Sequence, residues 1–244
     1  MSGNPAPNTN GDLPVDSQRQ VPRANPGHTR ITSLLIYCMT FLSGAVFLGL
    51  EIVASRVVAP FFGNSIYVWG SLISVFLLAL SIGYFLGGIL ADRVPDFRVL
   101  SLVIFAAGAF VLIVPIFREP VGLFVSDLEW DLRVSVLFAV SIYFLIPSIL
   151  MGMVSPYVVK LNTTEFAILG QSAGNVYAVS TLGSITGALL VSFVLITAFG
   201  TRAILWGSGA VLFFTSALCL ACARLTGMKL NRTANMVDVR PFSS

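Results

Sequence analysis

Six stretches of the chain are almost uniformly apolar, at positions 31–59, 66–91, 99–117, 134–155, 172–198 and 203–223. Each is near or above the ~20 residues a helix needs to cross about 30 Å of hydrocarbon. The only charges inside them are Glu51 and Arg56. A transmembrane barrel requires alternating polar and apolar positions over strands of ~10 residues, and runs such as 75–80 do not alternate. The pattern predicts an all-α, polytopic six-helix transmembrane bundle over 31–224. Residues 1–30, rich in Pro, Asn, Gly and Ser, are expected to form a disordered tail, and 225–244 a second short tail. The first span is too long and too late for a cleavable signal and should stay as an anchor.

Composition agrees, since 10% of residues are charged where a soluble domain carries roughly 25%. The net charge of +3 is too small in so apolar a chain to suggest a nucleic-acid surface. Charge instead sets orientation. Arg19, Arg23, Arg30, Arg93, Arg98, Lys160, Arg224, Lys229, Arg232 and Arg240 fall on one side of an even-numbered bundle, and Arg118, Arg133 and Arg202 on the other. The positive-inside bias then places both termini in the cytoplasm, and the chain in the cytoplasmic (inner) membrane.

The outer connection from Arg118 to Arg133 carries Glu119, Asp127, Glu129 and Asp131, a small acidic patch that is either a solvated face or a collector of cations. Val121, Phe124, Val125, Leu128 and Leu132 recur there at helical spacing after Pro120. This predicts an interfacial helix on the outer leaflet, with Trp130 at headgroup depth.

Lipid tails give helices no hydrophobic reason to associate, so small residues that let backbones approach must supply much of the packing. Gly83 and Gly87 in the second span, and Gly170 with Gly174 and Gly183 with Gly187 in the fifth, are candidate contacts of that kind. The fifth span is also the most polar, with Gln171, Ser172, Asn175, Ser180, Thr181, Ser184 and Thr186. Tyr177, Ser180, Thr181 and Ser184 fall on one stripe, which either bonds neighbouring helices or lines a wet pathway. Pro147 should bend the fourth span and Pro156 end it. Three helices followed by three enter the bilayer from opposite sides, the topology of a 3+3 inverted repeat.

Glu51 is the main candidate for chemistry. It lies about 12 Å below the outer end of its span at 1.5 Å per residue. A carboxylate at that depth is costly to ionise, so it can exchange a proton, meet a cation or bond across helices. Arg56 is five residues on, about 140° away in azimuth, which argues against a direct pair. It should snorkel to the interface or bond carbonyls of the turn at 60–64.

His28 is the only histidine and sits in the tail. Histidine-based catalysis and metal binding therefore have little to work with. Cys219 and Cys222 form a CxxC inside an apolar helix and Cys38 stands alone, so all three read as packing residues. The glycosylation patterns at Asn162 and Asn231 fall on the expected cytoplasmic side and are discounted. No cofactor is expected.

The segments FLSGAVFLGLEIVASRVVAPFFGNSIYVWGSLISVFLLALSIGYFLGGILADR (41–93), PSILMGMVSPYVVKL (147–161) and GNVYAVSTLGSITGALLVSFVLITAFGTR (174–202) resemble one family. It is the membrane domain that precedes spermidine synthase-like enzymes in fused facilitator/spermidine synthase proteins. The resemblance covers about 34–224. Members commonly continue into a soluble aminopropyltransferase-like domain. The 20 residues after the last span leave no room for one, so a non-enzymatic module is expected. Gly88, Asp92 and Arg93 in GILADR also resemble the start of the loop motif between the second and third helices of major-facilitator transporters, although VPDFR follows in place of its basic run. The resemblance implies that these three residues act as gate or helix-end contacts.

The resulting expectation is a half-facilitator-like membrane module that binds or moves a small solute, cationic and polyamine-like by the family association and by the sign of Glu51. Glu51, Asn175, Tyr177, Ser180 and Ser184 would contact the solute, and Arg56, Gly88, Asp92 and Arg93 would gate or brace it. A homodimer or a partner membrane subunit is expected, because six helices are few for alternating access. The rival expectation is a non-catalytic anchor for a separate aminopropyltransferase-like enzyme or for a larger membrane complex.

Overall fold

The computed structural model describes residues 30–162 and 169–237, and every regular element among them is helical. The expected tail over 1–30 lies almost wholly outside the described residues. The elements are α1 (Arg30–Phe62), α2 (Ile66–Arg93), α3 (Phe97–Ser126), α4 (Leu132–Gly152), α5 (Val154–Asn162), α6 (Leu169–Leu190), α7 (Ile196–Ala198) and α8 (Thr201–Val237). A π-helical turn, Val191–Leu195, joins α6 to α7. Six segments are long and apolar enough to cross a bilayer: Thr32–Phe62, Ile66–Arg93, Phe97–Ser126, Leu132–Asn162, Gly170–Ala198 and Thr201–Leu225. The chain is an integral, multi-pass membrane protein. Below, the end of the bundle where α1 begins and α8 finishes is the termini end, and the opposite one the far end.

Three pairings organise the bundle: α1 lies along α6, α2 along α4, and α3 along α8. The first two are parallel and made by glycine. A Cβ on Gly183 would run into the Phe41 carbonyl, one on Gly187 into that of Ala45, and one on Gly44 into that of Ser180. Across the second seam, a Cβ on Gly83 would strike the Ile149 carbonyl and one on Gly87 the Met153 backbone. Backbones touch here because no side chain intervenes, which is how helices gain packing in lipid. Gly170 and Gly174 have the same four-residue spacing but face open space, so the expected contact is not made at that pair.

The antiparallel pair is built differently. Ser101 Oγ donates to the Ser216 carbonyl at 2.9 Å and Ser216 Oγ to the Ser101 carbonyl at 2.8 Å. Phe105 and Phe213 stack at 4.8 Å, and Cys219 Sγ contacts the Phe97 carbonyl at 3.1 Å. Cys219 and Cys222 are both buried in this helix.

The expected interfacial helix after Pro120 does not form, because α3 continues to Ser126. Val111, Val114, Arg118, Val121, Gly122 and Val125 keep one helical phase, so the buried stripe runs straight on, with Val125 fully buried and Gly122 against the Phe61 ring. Arg118 Nε donates to the Val57 carbonyl at 3.1 Å, and Tyr143 Oη to the Arg118 carbonyl at 2.7 Å, tying α3 to α1 and α4. Trp130 stands exposed in the next turn, edge-on to Phe138. Asp131, one of the acidic patch, caps α4 by accepting from the Arg133 amide at 2.9 Å. Among the described residues no three or more His, Cys, Asp or Glu side chains gather in a group that could hold a metal ion.

Two proline expectations also change. Regular helix runs through Pro147, and the interruption falls at Met153. Its cause is Pro156, which has no N–H to give the Gly152 carbonyl. Pro156 therefore sits in the first turn of α5 and does not end the span. The last helix also outlasts its apolar run and reaches Val237, covering most of the stretch set apart as a tail over 225–244.

At the termini end the turn between α2 and α3 is clasped from both sides. The hydroxyl of buried Tyr157 on α5 donates to the Val94 carbonyl, and the Asp96 amide approaches it at 3.4 Å. Lys160 Nζ pairs with Asp92 Oδ1 at 2.7 Å.

Candidate functional site

Where the two glycine seams meet, α1, α2, α4, α5 and α6 leave a cavity of about 110 Å³. Its polar lining is Ser43, Tyr84, Ser155, Tyr177, Ser180 and Ser184, with Thr181 at its edge. Gly44 and Gly152, one from each seam, complete the wall. The close approach of backbones at these glycines leaves room beside them, and the neighbouring short side chains do not fill it.

The hydroxyls differ in what they already bond. Ser184 Oγ donates to the Gly44 carbonyl at 3.1 Å, and Thr181 Oγ1 to the Tyr177 carbonyl at 2.8 Å. Ser43 is 5% exposed and its Oγ has no hydrogen-bond partner among the described residues. A buried hydroxyl left in that state costs about 1–3 kcal/mol, and the cavity has room for about three waters or a small polar group to satisfy it. Tyr84 and Tyr177 meet edge to face at 6.2 Å beside it. The site offers hydroxyl oxygens and aromatic faces, and no charged side chain lines it. Such a lining can accept hydrogen bonds from an amine or a polyol and can hold a cation over tyrosine rings.

The structure thus brings together Tyr177, Ser180 and Ser184, but not the other two residues expected beside them. Asn175 is exposed on the opposite side of α6, about 160° from Tyr177 in azimuth. Glu51 is half-buried, does not line the cavity, and makes no hydrogen bond or ion pair with any described residue. It sits on the same stripe of α1 as Gly44 and Phe47, two turns or about 10 Å further towards the far end. Arg56 is exposed and does not pair with Glu51, as the azimuth argued. Gly88 faces open space, Asp92 is held by Lys160, and Arg93 is exposed at the end of α2.

Sequence reasoning missed Ser43, Tyr84, Ser155, Tyr157 and Lys160. Four of them had a signal: Ser43 and Tyr84 directly adjoin Gly44 and Gly83, and a polar residue beside a seam glycine is carried to the margin of that seam. Tyr157 and Lys160 follow Pro156 and have the three-residue spacing of one helical face. The π turn was also not foreseen. It rotates the end of the fifth span, and Thr197 Oγ1 donates to the Val194 carbonyl at 2.8 Å there. No protein-family model, curated protein or solved structure matches the chain.

Proposed function

We propose that the chain is a carrier-like membrane module, resembling half a facilitator, that binds and moves a small amine-bearing, polyamine-like solute through the cavity between its glycine seams. The observation that carries this reading is the buried, unpartnered Ser43 hydroxyl in a cavity otherwise lined by Tyr84, Ser155, Tyr177, Ser180 and Ser184. The hydroxyls accept from the solute's N–H groups, the tyrosine rings attract its charge, and Glu51 supplies the negative charge two turns along the same face of α1. Glu51 acts on the route and not in the cavity.

The pairing of spans supports a 3+3 arrangement. Exchanging the first three spans for the last three turns the first–fifth pair into the fourth–second pair and the first–sixth into the fourth–third. The third–sixth pair maps onto itself, where Ser101 and Ser216 bond reciprocally. In this reading both termini are cytoplasmic, and the clasp of Asp92, Lys160 and Tyr157 braces the inner end of the second span. The fifth span exposes Gln171 and Asn175, about 40° apart in azimuth, and polar groups facing lipid are costly. A second copy, or a partner membrane subunit, covers that face.

Proteoliposomes of the purified chain test this. They should accumulate labelled polyamine under a proton gradient, and Glu51→Gln and Tyr177→Ala should each abolish uptake. No flux with any amine, together with stable co-purification of a soluble aminopropyltransferase-like protein, would overturn the carrier reading in favour of an anchor.

A further inference from the structure

A second polar cavity, of about 250 Å³, lies at the far end between α1, the start of α2 and the π turn. Arg56, Asn64, Trp69 and Ser192 line it, and no Asp or Glu does. Arg56 makes no hydrogen bond or ion pair with any described residue, and the nearest acid along its helix, Glu51, points about 140° away. Trp69 Nε1 donates to Asn64 Oδ1 at 3.1 Å, which spends the amide's acceptor and leaves both of its N–H donors. Ser55, also on the wall, spends its hydroxyl on the Ile52 carbonyl at 2.7 Å. What remains is a guanidinium, an amide N–H pair and the Ser192 hydroxyl. They make a cluster of donors with one positive charge, chemistry that takes an anionic oxygen group, phosphate above all.

Depth and surroundings identify where that group comes from. Arg56 is six residues from the end of α1 at Phe62, or about 9 Å, and Trp69 stands in the first turn of α2, the level at which Trp and Arg meet headgroups. Beside the donor cavity lies a larger, almost wholly apolar one of about 510 Å³ between α1, α6 and α8, walled by Ala45, Gly49, Gly187, Leu190, Gly207 and Val211. Ile52 and Arg56 continue the face of α1 that Ala45 and Gly49 begin. The π turn separates the two spaces: Val191 and Leu195 wall the apolar one, and Ser192 and Ile196 the polar one. A free anion has no use for the apolar neighbour, whereas a phospholipid needs both.

We propose that Arg56, Asn64 and Ser192 bind the phosphate of an anionic phospholipid whose acyl chain occupies the apolar cavity between α1, α6 and α8. This site is separate from the hydroxyl-lined cavity and does not depend on transport. Its test is binding to the full chain in neutral detergent by native mass spectrometry, with phosphatidylglycerol, diacylglycerol of the same chain length, and inorganic phosphate as probes.

Phosphatidylglycerol should bind about ten-fold more tightly than diacylglycerol. Arg56→Gln and Asn64→Leu should each remove that preference, and Arg56→Lys should restore part of it. Gly207→Leu, at a position whose Cβ meets open space, should weaken phosphatidylglycerol by filling the apolar cavity. Equal binding of the two lipids, or a preference that survives Arg56→Gln, overturns the headgroup site. Inorganic phosphate competing the lipid away at equal concentration shows a free-anion site instead. Unchanged lipid binding by Gly207→Leu overturns the placement of the chain. Thermal unfolding without added lipid shows whether each variant is folded, and if Arg56→Gln fails, Asn64→Leu carries the same test.

Discussion

The bundle holds its helices together in two ways. Along α1–α6 and α2–α4 the contact is backbone against backbone, with glycine wherever a side chain would intrude. Along α3–α8 side chains carry most of the contact, with two serine hydroxyls and a buried thiol bonding the facing backbone and a stacked phenylalanine pair, and glycine enters only where Gly108 and Gly209 make room for Phe213 and Leu112. In lipid both are adequate, since neither relies on excluding water. They differ in what they leave behind. The smooth seams bring short, polar side chains to their edges and open the hydroxyl-lined cavity between them, whereas the pinned pair consumes its polar groups internally and lines no part of it.

The largest effect that sharpens this contrast comes from adding bulk to a smooth seam. Gly183→Leu places side-chain atoms where the Phe41 carbonyl now sits, and backbone cannot rotate out of the way as a side chain can. The expected cost is about 3 kcal/mol or more, read as loss of monodisperse protein and of the cooperative thermal transition in detergent. Gly174→Leu, in the same helix but facing open space within the chain, should leave the cooperative thermal transition unchanged. If the two variants behave alike, the seam is not what positions α6.

Those two glycines also show what the sequence could and could not reveal. Bilayer thickness sets the length of apolar runs, so six spans are legible without any knowledge of neighbours. Spacing then gives the face of a helix, but not what covers that face, and Gly170/Gly174 and Gly183/Gly187 are indistinguishable until α1 is in place. The same gap separates Tyr177, Ser180 and Ser184, which share one azimuth and line one cavity, from Glu51, which belongs to another depth of another helix. The end of α3 was readable in principle. The phase of Val111, Val114 and Arg118 carries through Pro120 to Val125, and an interfacial helix would have needed that phase to break.

A smaller loss is expected on the pinned side. Ser216→Ala removes the bond from its hydroxyl to the Ser101 carbonyl and leaves the Ser101 hydroxyl its bond to the backbone carbonyl of residue 216. The cost should be about 1 kcal/mol, measured as a lowered unfolding temperature. Tyr157→Phe at the termini end should cost a similar amount, because the Val94 carbonyl keeps only the Asp96 amide, at 2.9 Å, as its donor. Cysteine labelling near residue 94 would report the loosened turn.

Ser43→Ala separates stability from function most sharply. Its hydroxyl bonds nothing among the described residues, so removing it takes away an unpaired polar group, and stability should stay within about 0.5 kcal/mol of the parent or rise. Solute uptake should nonetheless fall, since the same hydroxyl is the free acceptor in the cavity. A stable variant with full uptake would mean that the hydroxyl serves only a trapped water.

The smallest effect belongs to the ion pair of Asp92 and Lys160. Although it closes to 2.7 Å, the two side chains are 68% and 49% exposed, and exposed pairs contribute about 0–1 kcal/mol because water and salt already satisfy both charges. Asp92→Asn should therefore shift unfolding by about 2–4 °C at most, and less still at high salt. The clasp at that end rests on buried Tyr157, and the pair adds direction more than strength. A gating role for Asp92 predicts the opposite weighting, with little change in stability but a marked change in transport rate. Measuring both quantities on this one variant decides whether the acid braces a turn or governs an opening.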